Sequence, residues 1–139
     1  MDYPKIFKAK EIVPGTVSGP ALVTRERVSF HGFIDPQAGT FTSPATELRG
    51  KSFAGRVMIF TSGKGAAANP RVLDAACRRG HAPAAIVNVE LEPFVVQGCV
   101  MQGIPLVQVA DGDIFAEVKD GDIVTVDSLS GEVVITAAG

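Results

Sequence analysis

The chain has 139 residues, of which 46% are hydrophobic and fifteen are glycine, and its net charge at pH 7 is -2. This composition indicates one soluble globular domain spanning residues 1–139, and it argues against nucleic-acid binding and against a membrane span. The first residues, Met1–Lys5, lack the charged start and apolar core of a signal peptide, so a cytoplasmic location is expected.

Turn-forming residues divide the first fifty residues into short segments. Glycine and proline recur between stretches rich in Val, Phe, Ile and Thr, as at Pro14-Gly15 and Gly19-Pro20. Such punctuation is typical of short strands joined by loops. The N-terminal half is therefore predicted to be rich in β-strands.

In the second half of the chain, apolar runs alternate with helical segments. Strands are predicted at 57–61, 84–89 and 104–110, with helices at 70–79 and 93–103 between them. This order favours parallel strands joined by right-handed crossovers.

Both helices have recognisable ends. Asn69 is predicted to cap the first helix, with Pro70 at its first position and Gly80 past its end. Pro93 and Gly103 are the expected start and end of the second helix. The apolar side chains at helical spacing in the second helix are Val96, Val100 and Met101.

Residues 121–135 form two runs of alternating apolar residues around a polar turn, which is a hairpin signal. The full order of segments predicts an α/β chain of the β/β/α type. It has a β-rich N-terminal half, a small parallel core and a C-terminal hairpin.

Residues 62–68, called the glycine turn below, join a predicted strand to a predicted helix. Gly63 and Gly65 flank Lys64 in this turn. Because glycine lets the backbone approach a ligand closely and a helix N-terminus presents N–H groups, the junction is a natural seat for an anion. The positions after Gly65, where a reactive side chain would project, are alanines.

The order of these segments resembles the swivel domain of the aconitase X family, in its form as a separate small subunit. The likeness runs from about residue 15 to residue 109 and implies a single swivelling β/β/α domain. The residues that carry it are Gly19-Pro20-Ala21-Leu22-Val23, Phe30-His31-Gly32-Phe33-Ile34-Asp35, Gly39, Leu48, Gly50-Lys51, Gly55-Arg56-Val57, Gly63-Lys64-Gly65 and Ala82-Pro83-Ala84-Ala85-Ile86-Val87.

The resemblance implies a two-part dehydratase. A large catalytic subunit would carry an iron–sulfur cluster and most substrate contacts, while this chain, with no cofactor of its own, would close over the cleft. Members of the family dehydrate small hydroxy acids, notably cis-3-hydroxy-L-proline in bacteria and mevalonate 5-phosphate in archaea. The Ala- and Arg-rich composition with few lysines favours the bacterial substrate here.

The family's small domain usually reads Gly-Arg-Gly-Ser-Ser at the glycine turn, and the first serine removes the proton. The corresponding positions here are Lys64, Ala66 and Ala67. The lysine keeps the positive charge but lacks the guanidinium fork that suits a carboxylate. The resemblance thus implies substrate binding by Gly63, Lys64, Gly65 and Ala67, with Ala66 at the catalytic position.

Three sources of the missing base stay open: Ser62, His31 and the large subunit. His31 is a candidate because imidazole titrates near neutrality. Alanine at residue 66 is also consistent with a divergent substrate, with a binding or regulatory paralogue that performs no turnover, and with an engineered Ser→Ala form.

The remaining residues with functional side chains are predicted to have structural roles. His81 raises a rival hypothesis, because phosphohistidine domains share the swivelling plan and a similar C-terminal stretch. Its place after a helix and before a strand nevertheless predicts a connector. Asp35 before Pro36 is predicted to form a turn, and Cys77 and Cys99 are predicted to be apolar core residues.

Overall fold

A computed structural model describes residues 3–138, so the predicted domain limits at residues 1 and 139 and the first two residues of Met1–Lys5 lie outside the described residues. The strands are β1 (Lys5–Lys8), β2 (Lys10–Val13), β3 (Thr16–Val23), β4 (Arg27–Val28), β5 (Ile34–Asp35), β6 (Thr40–Phe41), β7 (Val57–Phe60), β8 (Ser62–Gly63), β9 (Ala85–Asn88), β10 (Leu106–Gln108), β11 (Ile123–Asp127) and β12 (Glu132–Thr136). The helices are α1 (Asn69–Arg78) and α2 (Pro93–Gln102), with a short 3₁₀ helix at Ile114–Ala116. Within residues 3–138, neither helix has the length and apolarity needed to cross a bilayer.

Eight strands form one mixed sheet in the order β1-β12-β11-β3-β7-β9-β10-β2. Its centre, β3, β7, β9 and β10, is parallel, whereas the pairings outside the centre are antiparallel. The predictions of parallel strands in the second half, short strands in the first and a closing hairpin, β11–β12, are confirmed. The parallel pairing of β3 with β7 was not predicted.

Alternating side chains in the central strands build a hydrophobic core on each face of the sheet. Met58 and Phe60 of β7 face the core covered by α1, α2 and residues 28–53. Val57 and Ile59 face the other core, which residues 109–118 and the closing hairpin complete. A strand buried on both faces is apolar throughout, which is why β7 reads as a continuous hydrophobic run.

The capping prediction for α1 is wrong. Asn69 is the first helical residue, and Ala68, which precedes it, provides no side-chain cap. The Asn69 side chain is 1% exposed and points into the protein, where three donors from residues 29–31 occupy its oxygen. Gly80 follows the helix in a left-handed conformation, as its predicted place past the end requires.

The second helix begins at Pro93 as predicted and is capped by Glu92. It ends at Gln102 and is followed by the predicted Gly103, whose φ of 66° is the left-handed conformation common after helix ends.

Of the three apolar residues noted at helical spacing in α2, Val96 is partly buried and packs against the core, but the other two lie on the surface. Val100 and Met101 are 60% and 58% exposed, whereas Val95, Gly98 and Cys99 are buried. Because α2 contains no charged residue and its apolar residues are spread around the whole helix, the sequence pattern could not identify the face that packs.

Candidate functional site

The glycine turn lies at the carboxyl-terminal edge of the parallel strands. β7 ends at Phe60, and β8 then leaves the main sheet to pair in parallel with β4. The backbone N–H of Lys64 extends this pairing by donating to the carbonyl of Val28 at 2.9 Å. Ligands of open α/β sheets bind outside this edge, so the fold brings the predicted anion seat to a position suited to binding.

Four consecutive backbone N–H groups of the turn, at residues 65–68, have no protein acceptor within residues 3–138. The turn closes on itself where the N–H of Asn69 donates to the carbonyl of Ala66 at 3.0 Å. Since α1 lacks a side-chain cap, no described side chain competes for these donors. Free N–H groups at the start of a helix, together with its dipole, favour an anion.

Lys64 lines an open cleft of about 390 Å³. Its ammonium lies 5.7 Å from the centroid of the Phe33 ring, within the range of a cation–π contact. The residues that line the cleft are Glu26, Arg27, Phe33, Ala45 and Lys64.

Lys64 is a cation of this cleft that has no carboxylate partner in the described part of the chain. The other charged side chains are already engaged. Arg27 is paired with Glu90 at 2.6 Å, and Glu26 accepts a hydrogen bond from the Thr46 hydroxyl at 2.7 Å. An anion at the glycine turn would therefore meet the Lys64 ammonium and free N–H donors, while the Glu26 carboxylate of the same cleft keeps its negative charge.

The predicted base candidates differ in accessibility. Ser62 is 1% exposed, so its hydroxyl has almost no surface for a substrate. Ala66 is partly buried and Ala67 is exposed, and neither carries a group that accepts a proton. His31 is exposed, and its ring makes no hydrogen bond within residues 3–138, which leaves it the accessible candidate in this chain.

Asn69 is the site residue that sequence reasoning missed. Its side-chain oxygen accepts hydrogen bonds from Ser29 Oγ at 3.1 Å and from the backbone N–H groups of Phe30 and His31 at 3.0 and 2.8 Å. It thereby ties the loop that contains His31 to the glycine turn. The available signal was that Asn69 has the only hydrogen-bonding side chain between Lys64 and the body of the helix.

Gly63 lets the start of α2 approach the glycine turn. A Cβ atom at this position would lie 2.5 Å from Oε1 of Glu92 and 2.7 Å from Cγ2 of Val95. The Glu92 carboxylate seals its own helix by accepting from the N–H groups of Phe94 and Val95 at 3.0 and 3.1 Å. The starts of both helices therefore meet at the turn.

Other residues singled out in the sequence have the structural roles predicted for them. Asp35 accepts from the N–H of Gln37 at 2.9 Å and forms a turn. His81 lies between α1 and β9, where its Nε2 is 2.9 Å from the carbonyl of Gln37. Cys77 is partly buried and Cys99 is buried, and burial raises the pKa of the Cys99 thiol to about 12.

The sequence matches the family described as Aconitase X swivel domain over residues 6–135. The curated Phosphomevalonate dehydratase small subunit of Methanothrix thermoacetophila is 44% identical over 129 residues, which cover 93% of each chain. The protein of the same name from Archaeoglobus fulgidus is 40% identical over 127 residues, covering 91% of this chain and 96% of that one.

Two solved structures are similar along most of the chain. The crystal structure of Thermococcus kodakaraensis aconitase X in its holo-form has a TM-score of 0.86 and 36% identity, covering 94% of this chain and 98% of that chain. A UPF0107 protein solved by solution NMR has a TM-score of 0.84 and 40% identity, covering 93% and 97%. The predicted α/β fold class is confirmed.

Proposed function

This chain belongs to the aconitase X swivel-domain family, and from that premise we propose that it is the small subunit of a two-subunit phosphomevalonate dehydratase. Support comes from curated relatives of that name, which are 36–44% identical and align over most of both chains. The proposal gives this chain a large catalytic partner, without which it is inactive.

We place mevalonate 5-phosphate ahead of cis-3-hydroxy-L-proline as the substrate. The composition favoured the hydroxyproline, but the names of the relatives favour the phosphorylated acid. The charge of the site is compatible with this choice. Mevalonate 5-phosphate carries a carboxylate and a phosphate, and Lys64 provides a point charge that suits either group.

The observation that carries the proposal is the run of free N–H groups at residues 65–68 beside Lys64. Dehydration of a β-hydroxy acid removes a proton next to the carboxylate and releases the hydroxyl as water. The turn holds an acidic group of the substrate through N–H donors and the lysine charge. Held in this way, the reacting carbon is oriented toward the groups of the partner subunit.

The base that removes the proton lies outside the alanine positions of the turn, because Ala66 and Ala67 have no side chain that accepts a proton. His31 is the accessible candidate in this chain, and the large subunit is the other source. Ser62 is less suited because it is buried. A positioned base contributes on the order of 10²–10⁴ in rate, so a His31→Ala variant with full activity would assign the base to the large subunit.

An iron–sulfur cluster, which the family implies, would be held by the large subunit. The described residues contain no group of three or more His, Cys, Asp or Glu that could hold a metal ion. The thiol of Cys99 is buried, and its raised pKa disfavours the thiolate that binds metal. The residues of this chain do not fit a cluster, and none of the roles assigned to them passes through one.

Reconstitution with the large subunit tests the proposal. The complex is expected to release water from mevalonate 5-phosphate, and neither chain alone is expected to do so. Lys64→Ala should raise KM about tenfold or more, because a charge-assisted contact to the substrate is lost.

Lys8→Ala is the matched control, since it removes an exposed lysine charge from the edge strand β1 and should leave KM unchanged. An intact complex that releases water from neither hydroxy acid would refute the activity. Turnover with an unchanged KM in the Lys64→Ala complex would instead refute the anion seat.

A further inference from the structure

Asn69 joins the two segments from which the cleft is built. Its backbone N–H donates to the carbonyl of Ala66 at 3.0 Å, which closes the glycine turn. Its side-chain oxygen accepts from Ser29, Phe30 and His31, which belong to the facing loop. With 1% of its surface exposed, the residue is fully enclosed between them.

The donors around Asn69 fix the orientation of its amide. A backbone N–H can only donate, so the atom that faces Phe30 and His31 must be the amide oxygen. The amide nitrogen, Nδ2, is buried and has no acceptor within residues 3–138. An unpaired buried donor is destabilising, so what Asn69 contributes comes from its oxygen, which ties residues 29–31 to the glycine turn.

The loop that Asn69 holds also carries the aromatic ring beneath Lys64. Gly32 has a φ of 77°, a left-handed conformation that turns the chain just before Phe33. The N–H of Phe33 donates to the carbonyl of Phe30 at 3.1 Å. Its ring centroid is 5.7 Å from Nζ of Lys64, so the contacts run without a break from the Asn69 amide to the ammonium.

We propose that Asn69 is a positioning residue for the substrate-binding turn. Through its backbone it shapes the turn, and through its amide it holds residues 29–33. It thus sets where the Phe33 ring holds the Lys64 ammonium relative to the free N–H groups. The identity of the bound anion rests on the proposed function. The contacts of Asn69 with residues 29–31 and of Phe33 with Lys64 do not depend on it.

NMR spectroscopy of the full chain tests the positioning role without turnover. The ring current of Phe33 shifts the ε-methylene protons of Lys64 upfield while the ammonium lies over the ring. Asn69→Ala should abolish this shift. It should also speed hydrogen exchange of the Phe30 and His31 amides about tenfold, since both of these N–H groups lose their acceptor.

Asn88→Ala is the matched control for this experiment. Asn88 is also a fully buried asparagine with one unpaired polar atom, but its amide donates to the carbonyls of Phe60 and Val87 within the sheet. The control should keep both NMR signals. A Lys64 shift that survives in Asn69→Ala, or an equal loss in Asn88→Ala, would overturn the proposal.

Kinetics of the complex with the large subunit give the second readout. Asn69→Ala should raise KM about tenfold to a hundredfold, with a smaller change in kcat, because misplacing a positioning group weakens binding of the substrate. Phe33→Leu keeps an apolar side chain and leaves the Asn69 amide in place. It should raise KM in the same direction, and it preserves the test if Asn69→Ala does not fold.

The double variant decides whether the two residues act along one path. If Asn69 acts through Phe33, combining Asn69→Ala with Phe33→Leu should raise KM no more than the larger single change. If the KM increases of the two single variants instead multiply in the double variant, Asn69 does not act through Phe33. A wild-type complex without turnover would refute the proposed function, and the NMR result would then decide the role of Asn69 by itself.

Discussion

The two helices both begin beside the glycine turn, but the backbone N–H groups at their starts are satisfied differently. α2 starts with Glu92, whose carboxylate accepts from the N–H groups of Phe94 and Val95. α1 starts after Ala68, which has no capping side chain, and the N–H groups of residues 65–68 have no acceptor in the described part of the chain. The open donors are therefore a property of the glycine turn and not of the fold in general.

The two helices also differ in the charge of their outer surfaces. α1 carries charged residues there, including Asp74 and Arg78, which form an ion pair at 2.8 Å. α2 has no charged residue, and it stays close to α1 because Gly98 has no side chain: a Cβ atom there would lie 3.1 Å from Leu73. Gln102 supplies one polar link by donating to Asp74 at 2.7 Å.

The largest effect on stability is expected at Gly63, where the start of α2 packs against the glycine turn. Gly63→Val would place carbon atoms against Glu92 and Val95 and should destabilise the fold by about 3 kcal/mol, as overpacking does. Gly65→Ala is the control, because its Cβ would meet nothing nearer than Oε2 of Glu92 at 4.0 Å. Urea denaturation of both variants measures the difference.

Equal losses in the Gly63 and Gly65 variants would contradict the claim that α2 fixes the glycine turn from one side. A loss confined to the Gly63 variant would establish that the turn is held by packing against α2 as well as by its own hydrogen bonds.

Local chemistry explains which parts of this molecule were predictable. The strands β7 and β9 were found because their apolar runs are bounded by glycine and proline, and Lys64 was found because its flanking glycines are adjacent in sequence. The pairing of β3 with β7 joins Ala21 to Val57 across three intervening strands. No local pattern encodes such a partner.

The error at Asn69 has the same origin. An asparagine before proline at a helix start is a strong capping signal, but three donors from residues 29–31 occupy its oxygen instead. Those residues precede it by 38 to 40 positions, so the competition is decided by tertiary contacts. In α2 the sequence failed for another reason, since apolar residues spread around the whole helix form no pattern that selects its buried face.

A smaller loss of stability is expected from removing the side-chain cap of α2. Glu92→Ala removes the acceptor for two N–H groups and should lower the free energy of unfolding by about 1 kcal/mol, as the loss of other helix caps does. Glu92→Gln retains a side-chain oxygen and should lose less. If Glu92→Ala unfolds at the same urea concentration as the wild type, the carboxylate does not stabilise the start of α2. The capped α2 and the uncapped α1 would then not differ in the stability of their starts.

The smallest effect is expected at the polar link between the helices. Hydrogen bonds from Arg78 and then Gln102 hold the pKa of the Asp74 carboxyl below its ordinary value of 3.8. A carboxyl with a lowered folded-state pKa stabilises the fold above its unfolded-state pKa, and this contribution is lost as the pH falls through the folded-state value. Asp74→Asn should therefore lower the unfolding midpoint slightly at pH 7.

The difference between Asp74→Asn and the wild type should close as the pH falls below 3.8, and salt should narrow it at pH 7 because the ion pair lies at the surface. Thermal unfolding at several pH values measures both trends. A difference that persisted in acid, where Asp74 is protonated, would mean that the charge of Asp74 is not its cause. Gln102→Ala separates the two partners of Asp74, because it removes the hydrogen bond from Gln102 and leaves the Arg78 pair in place.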